Sequence, residues 1–141
     1  MVDLTGFNTN SVEGVQQVVS TTLGTTYNLS YFVGNVVNPG GIFGLTSTVD
    51  VLVNGSQIQA ATNSGGGTTL TWEQFTTSFV ATGSSTTIGF LNGDPRTDNA
   101  NGLDNVVLTA GAVSGVPEPD TWVLLGSGLG GIAAWRKYRS A

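Results

Sequence analysis

The 141-residue chain contains no cysteine and no histidine. The first absence removes thiolate nucleophiles and disulfides, and the second removes the commonest general base. Together they exclude Cys/His zinc sites, haem held by histidine or cysteine, and a Ser-His-Asp triad. Without cysteine, the sequence also carries no redox mark of its compartment. Charge is scarce as well: Asp, Glu, Lys and Arg make up 9% of the residues, where an ordinary soluble domain has about 25%. Gly, Ser, Thr and Asn fill the space instead, which is the composition of an exported β-rich protein.

The few charges are segregated. Upstream of Val116 the one cation is Arg96, set against Asp3, Glu13, Asp50, Glu73, Asp94, Asp98 and Asp104. Arg136, Lys137 and Arg139 follow Trp135 with no acid among them. An acidic body argues against nucleic acid as a partner, because displacing counterions from phosphates needs clustered Lys and Arg. The tail cations stand directly behind an apolar stretch, as a membrane stop signal does.

Between residues 13 and 109 short apolar alternations are separated by turn residues. "TYNLSYFVGN" puts Tyr27, Leu29, Tyr31 and Val33 on one face, and "STVDVLVNGSQIQAA" does the same for Val49, Val51 and Val53. The Asn54-Gly55 pair in that second stretch predicts a type I′ hairpin. Further strands are expected around Leu70 to Val80, Ile88 to Phe90, and Leu103 to Leu108. Short strands at this spacing, with no helical period before residue 116, predict an all-β antiparallel jelly roll or sandwich of about seven strands. "TAGAVSGVPEPD" (residues 109 to 120) reads as a linker stiffened by its prolines. The opening "MVDLTGFNTNSVEG" has no basic or apolar stretch of a signal peptide, so the expectation is a fragment or mature form, or a start placed internally.

From Trp122 to Trp135 the sequence "WVLLGSGLGGIAAW" is uncharged and closes on Arg136 and Lys137. Flanking tryptophans with a basic cluster mark a membrane segment, yet the stretch is short of the ~20 residues a span needs. Its glycines, with Gly126 and Gly130 as a GxxxG pair, suit close contacts in lipid. A membrane segment and an interfacial or core helix both fit.

Val116-Pro117-Glu118-Pro119, then Thr121-Trp122, a short Gly-containing apolar segment and a terminal Arg/Lys cluster resemble the PEP-CTERM sorting signal. The resemblance implies export from a Gram-negative bacterium that makes exopolysaccharide and biofilm matrix. It also implies cleavage by an exosortase, an integral-membrane enzyme. Pro117, Glu118 and Pro119 would be its recognition motif. Trp122, Leu124, Leu125, Gly126, Gly130 and Trp135 would belong to a transient inner-membrane anchor, and Arg136, Lys137 and Arg139 to the stop. Residues 1–110 are then the sandwich, expected to lack N-terminal strands, and 111–141 the linker and signal (motif 116–119, helix 121–135, basic tail 136–141). In the body, "VEGVQQVVSTTLGTTYNLSYFVGN", "FVATGSSTTIGFLN" and "GLDNVVL" are similar to the galactose-binding-like jelly rolls of extracellular bacterial proteins.

Candidate sites in the body are few. Asp94, Asp98 and Asp104, with Asn99 and Asn105, offer hard oxygens suited to a structural Ca²⁺, the one cofactor the sequence suggests, and Asp104 leads because the related jelly rolls often hold Ca²⁺ there. The same residues are ordinary turn formers, and their spacing is not an EF-hand loop. Trp72, Tyr27, Tyr31 and Phe75 can stack on sugars or fill a core, and Trp72 is the candidate for sugar stacking because it follows a Gly-rich loop. Nothing in the sequence joins Glu13 to Glu73 as a hydrolase would need. The expected protein is a non-enzymatic surface or matrix protein that works by adhesion or scaffolding and contacts extracellular polysaccharide. The alternative is a self-associating structural subunit that exchanges strands with its neighbours.

Overall fold

The computed structural model describes residues 1–5, 13–38, 43–95 and 101–111. Eight strands follow in order: β1 (Val2–Asp3), β2 (Gly14–Ser20), β3 (Thr26–Asn35), β4 (Ser47–Val53), β5 (Ser56–Asn63), β6 (Thr71–Val80), β7 (Ser85–Asn92) and β8 (Gly102–Ala110). They form two antiparallel four-stranded sheets. The front sheet has the order β1-β8-β3-β6 and the back sheet β2-β7-β4-β5. This alternation of strands between two sheets is the jelly-roll order, and its first strand is reduced to two residues. The expected all-β sandwich is what forms.

The period-2 pattern decides which side chains meet. On β3, Leu29, Tyr31 and Val33 turn inward onto Val49 and Val51 of β4 and Ile88 and Phe90 of β7. Tyr31 lies at the centre of this layer. Its ring stacks on Phe75 (6.1 Å between centroids) and meets Phe90 edge-on (5.3 Å). Its hydroxyl donates to Gln59 Oε1 at 2.8 Å, and burial pushes its phenol well above the usual range. Tyr27 stacks on Phe79 at 5.7 Å. Between β4 and β5, Asn54 and Gly55 take φ of 50° and 81°, as a two-residue type I′ turn requires.

Two fully buried asparagines bind one end of the sandwich together. Asn63, on β5 of the back sheet, donates to the carbonyls of Val33 (2.8 Å) and Thr71 (3.2 Å) in the front sheet and accepts from Gly65 N–H (2.9 Å). Asn35, on β3, donates to the carbonyls of Leu45 (3.1 Å) and Gly65 (2.9 Å) and accepts from Ser47 Oγ (2.9 Å). Each amide thus reaches across to the other layer and fixes the loop on either side of the hairpin β4–β5.

The two long sides of the sandwich differ. Where β5 and β6 form the edges, Gln59 holds Tyr31 and also donates to the Thr76 carbonyl (3.4 Å). On the opposite side β2 faces β8 across a cleft of about 350 Å³, and core residues Leu29, Ile88, Phe90 and Leu103 line it. β1 covers only the Gly102–Leu103 end of β8.

Asn63→Ala removes three hydrogen bonds at a site 1% exposed. It is expected to cost roughly 3 kcal/mol, lowering the melting temperature by more than about 10 °C in a thermal denaturation followed by circular dichroism.

Candidate functional site

The clamped end of the sandwich carries the most distinctive outward-facing surface. Registers of the front sheet place Asp3, Gly102, Gly34 and Trp72 side by side in one row across β1, β8, β3 and β6. The next row holds Asp104, Phe32 and Gln74. Inward residues on β3 are the odd-numbered ones, so Phe32 and Gly34 point outward. On β6, Trp72 shares the outward set with Gln74, Thr76 and Ser78, opposite the inward Phe75 and Phe79.

Glycine at 34 and 102 lets the tryptophan ring lie close against the sheet. A Cβ on Gly34 would lie 2.9 Å from Trp72 Cζ3, and one on Gly102 would lie 3.1 Å from Cη2. The indole therefore reaches across two strands and rests on bare backbone, while the residue stays 36% exposed. Glycine inside a strand marks close approach of another group, and here the group is this ring. Beside the row is a shallow hollow of about 200 Å³ lined by Asp3, Val36, Phe43, Leu70 and the two glycines. Farther along the same face a groove of about 580 Å³ is lined by Asn28, Ser30, Thr76, Ser78, Val107 and Thr109.

The charged side chains near the row are acidic, and one of them meets the N-terminal ammonium. Asp3 Oδ1 accepts from Thr5 N–H (2.9 Å) and Thr5 Oγ (2.7 Å). Asp104 Oδ1 accepts from Asn105 N–H (2.8 Å) and from the N-terminal ammonium (3.3 Å). The Asn105 N–H, and after it that ammonium, hold the Asp104 carboxyl below the usual carboxylate range. No Lys or Arg occurs among the described residues.

The other expected sites fall as follows. Asp94 joins a different hydrogen-bond group from Asp104: it accepts from Thr48 N–H, and its own N–H bonds Asn92 Oδ1 (3.0 Å). Asn101 donates to the same Asn92 oxygen at 2.9 Å and to the Thr48 carbonyl. Asp98 lies outside the described residues. Among those described, no group of three or more acidic, His or Cys side chains could hold a metal. The Asp94 carboxylate accepts from Thr48 N–H, whereas that of Asp104 accepts from Asn105 N–H and the N-terminal ammonium. Tyr27, Tyr31 and Phe75 pack in or against the core. Glu13 precedes β2 at one edge of the back sheet, while Glu73 lies on β6 at the opposite side of the sandwich, so these carboxylates do not face each other. No helix among the described residues is long and apolar enough to cross a membrane. Pro117, Glu118 and Pro119, the segment Trp122 to Trp135, and Arg136, Lys137 and Arg139 lie outside them.

Residues 115–139 match the family model described as the PEP-CTERM protein-sorting motif, so the chain carries that sorting signal. Among solved structures, the EclA C-terminal domain, titled a sugar-binding protein, is similar at a TM-score of 0.58 and 15% identity, over 75% of this chain and 74% of that one. At that identity the likeness is one of fold. No curated protein matches the chain.

Gly34→Ala is expected to lift the indole off the sheet at a cost of about 1–3 kcal/mol. In a Trp122→Phe, Trp135→Phe background the emission of Trp72 should shift to longer wavelength; unchanged emission and stability would refute the packing described.

Proposed function

We propose that this chain is an exported, non-enzymatic surface or matrix protein whose jelly-roll body binds neutral extracellular polysaccharide through the outer face of the front sheet. The observation that carries the binding reading is Trp72, supported by Gly34 and Gly102 and 36% exposed on the same face as a polar groove farther along the sheet. An indole offers the apolar face of a sugar a flat partner at little entropic cost. The amides and hydroxyls of Asn28, Ser30, Thr76, Ser78 and Thr109 supply donors and acceptors in both directions for sugar hydroxyls. The sugar-binding title of the EclA domain agrees with this reading.

Charge narrows the ligand. The side-chain charges beside this face are Asp3 and Asp104, the latter paired with the N-terminal ammonium. No described Lys or Arg stands there, which disfavours uronate or sulfate groups and suits neutral hexose chains. The sorting motif supports the other half of the proposal, delivery through an exosortase acting at Pro117-Glu118-Pro119. Adhesion or scaffolding in the matrix follows from a glycan-binding body released at the cell surface.

Affinity electrophoresis of the full chain in gels containing a neutral glucan or galactan, against a uronate polymer such as alginate, tests the binding face. Retardation is expected in a neutral gel and not in the uronate gel. Trp72→Ala should weaken it about fivefold to tenfold, the equivalent of roughly 1–1.4 kcal/mol. A folded Trp72→Ala variant retarded like the parent would remove this face from the function. For delivery, Glu118→Ala expressed beside an exosortase should stay at its uncleaved size in the membrane fraction while the parent is shortened; equal processing of both would overturn the assignment of the motif.

A further inference from the structure

The back sheet ends in a strand that is open to another copy. β2 pairs with β7 in unbroken register from Gly14↔Leu91 to Ser20↔Ser85, and among the described residues no second strand lies against its other edge. Edge strands are ordinarily blunted by charge, proline or a bulge. β2 has none of these: its sequence is Gly-Val-Gln-Gln-Val-Val-Ser, it is regular, and Val15 and Val18 are exposed. Seven uncharged residues rich in valine are the composition that pairs readily with a copy of itself. The neighbouring edge is different. β8 is interrupted by a bulge opposite Ser30 to Phe32, with Asn105 at a φ of 47°, and carries Asp104 and β1 on its first residues.

We infer that β2 is a homodimerisation edge: two copies pair antiparallel through Gly14–Ser20 about a twofold axis at Gln17, joining their back sheets into one eight-stranded sheet. The occupant is a second copy for two reasons. First, the strip carries no charge and is self-complementary in the antiparallel twofold register, so two copies bring no like charges together along it. In the twofold register Glu13 of each copy falls beyond the paired strands, opposite the partner's Thr21, and no like charges face each other. Second, the apolar cleft between β2 and β8 adjoins the same edge and is lined on β2 by Val15 and Val19. Pairing sets each Val15 directly opposite the partner's Val19, on the cleft side. The partner strand therefore shields the mouth of the cleft together with the edge. The outer face then carries Gln16 opposite the partner's Val18, twice. This inference is independent of glycan binding, which uses the other sheet.

The chain has no native cysteine, so one introduced thiol reports the contact. Full-length Gln17→Cys in mild detergent is expected to form a disulfide-linked dimer on oxidation about tenfold faster than Ile58→Cys, which sits on the opposite edge strand β5. Adding Gln16→Lys and Val18→Lys places two lysine pairs face to face and should abolish that advantage. Gln16→Glu with Val18→Lys places opposite charges there and should restore it. Circular dichroism melts establish that each variant is folded. Equal rates for the two cysteines, or equal rates for the Lys/Lys and Glu/Lys variants, would overturn the inference.

Discussion

Asn35 and Asn63 are the constraint on which this sandwich turns. Both are almost fully buried, and both use oxygen and nitrogen of the amide. Asn35 reaches loops and β4 on the back-sheet side, and Asn63 reaches front-sheet carbonyls while its oxygen holds Gly65 N–H. Apolar side chains can hold two sheets about 10 Å apart, but they do not fix the position of one sheet along the other. Directional bonds do, because a slip of either layer would leave several buried backbone groups unsatisfied. The tryptophan row stands one residue away from Asn35 and from Thr71, an acceptor of Asn63. Gly34 precedes Asn35, and Trp72 follows Thr71, whose carbonyl accepts from Asn63. Fixing Val33, Asn35 and Thr71 therefore fixes the glycine shelf and the start of β6 that presents the indole.

The open side of the sandwich is the counterpart of this clamp. Gln59 and Tyr31 tie β5 to the interior at one long edge, whereas the β2 and β8 edges leave core side chains lining a cleft. With little charge on the surface, the molecule has few means of discouraging contact, and the location of its acids becomes informative. Asp3 and Asp104 flank the tryptophan row, and Glu13 stands just before β2, which itself holds no acid. The proposed glycan face and the proposed pairing edge are compatible, because they belong to opposite sheets.

How far the sequence revealed this depends on the element. The alternation on β3 and β4 and the Asn54-Gly55 turn were readable because local pattern and tertiary packing agree there. The inward asparagines were not: polar residues at core positions break the alternation, and their partners are backbone groups far away in the chain. β1 escaped notice since two residues carry no period. Trp72 was legible as a candidate by its position after a Gly-rich loop, yet its orientation depends on a parity that only pairing with β3 settles. The signal that could have found its shelf was glycine within two strand sequences, at 34 and 102, where a side chain would otherwise be expected. Asp94 and Asp104 illustrate the reverse: nearness in sequence suggested a shared site, and the intervening change of sheet separates their hydrogen-bond partners.

Polarity along the front sheet joins the body to its sorting signal. Ala110 pairs with Tyr27 at one end of β3, and Gly111 N–H bonds the Thr26 carbonyl there. Gly34, Gly102 and Trp72 occupy the other end. Seven residues of strand separate Tyr27 from Gly34, which is roughly 23 Å. The chain thus leaves the sandwich toward its sorting motif from the end opposite the tryptophan. The last described residue before the sorting motif, Gly111, therefore lies at the end of the sandwich that carries no aromatic shelf.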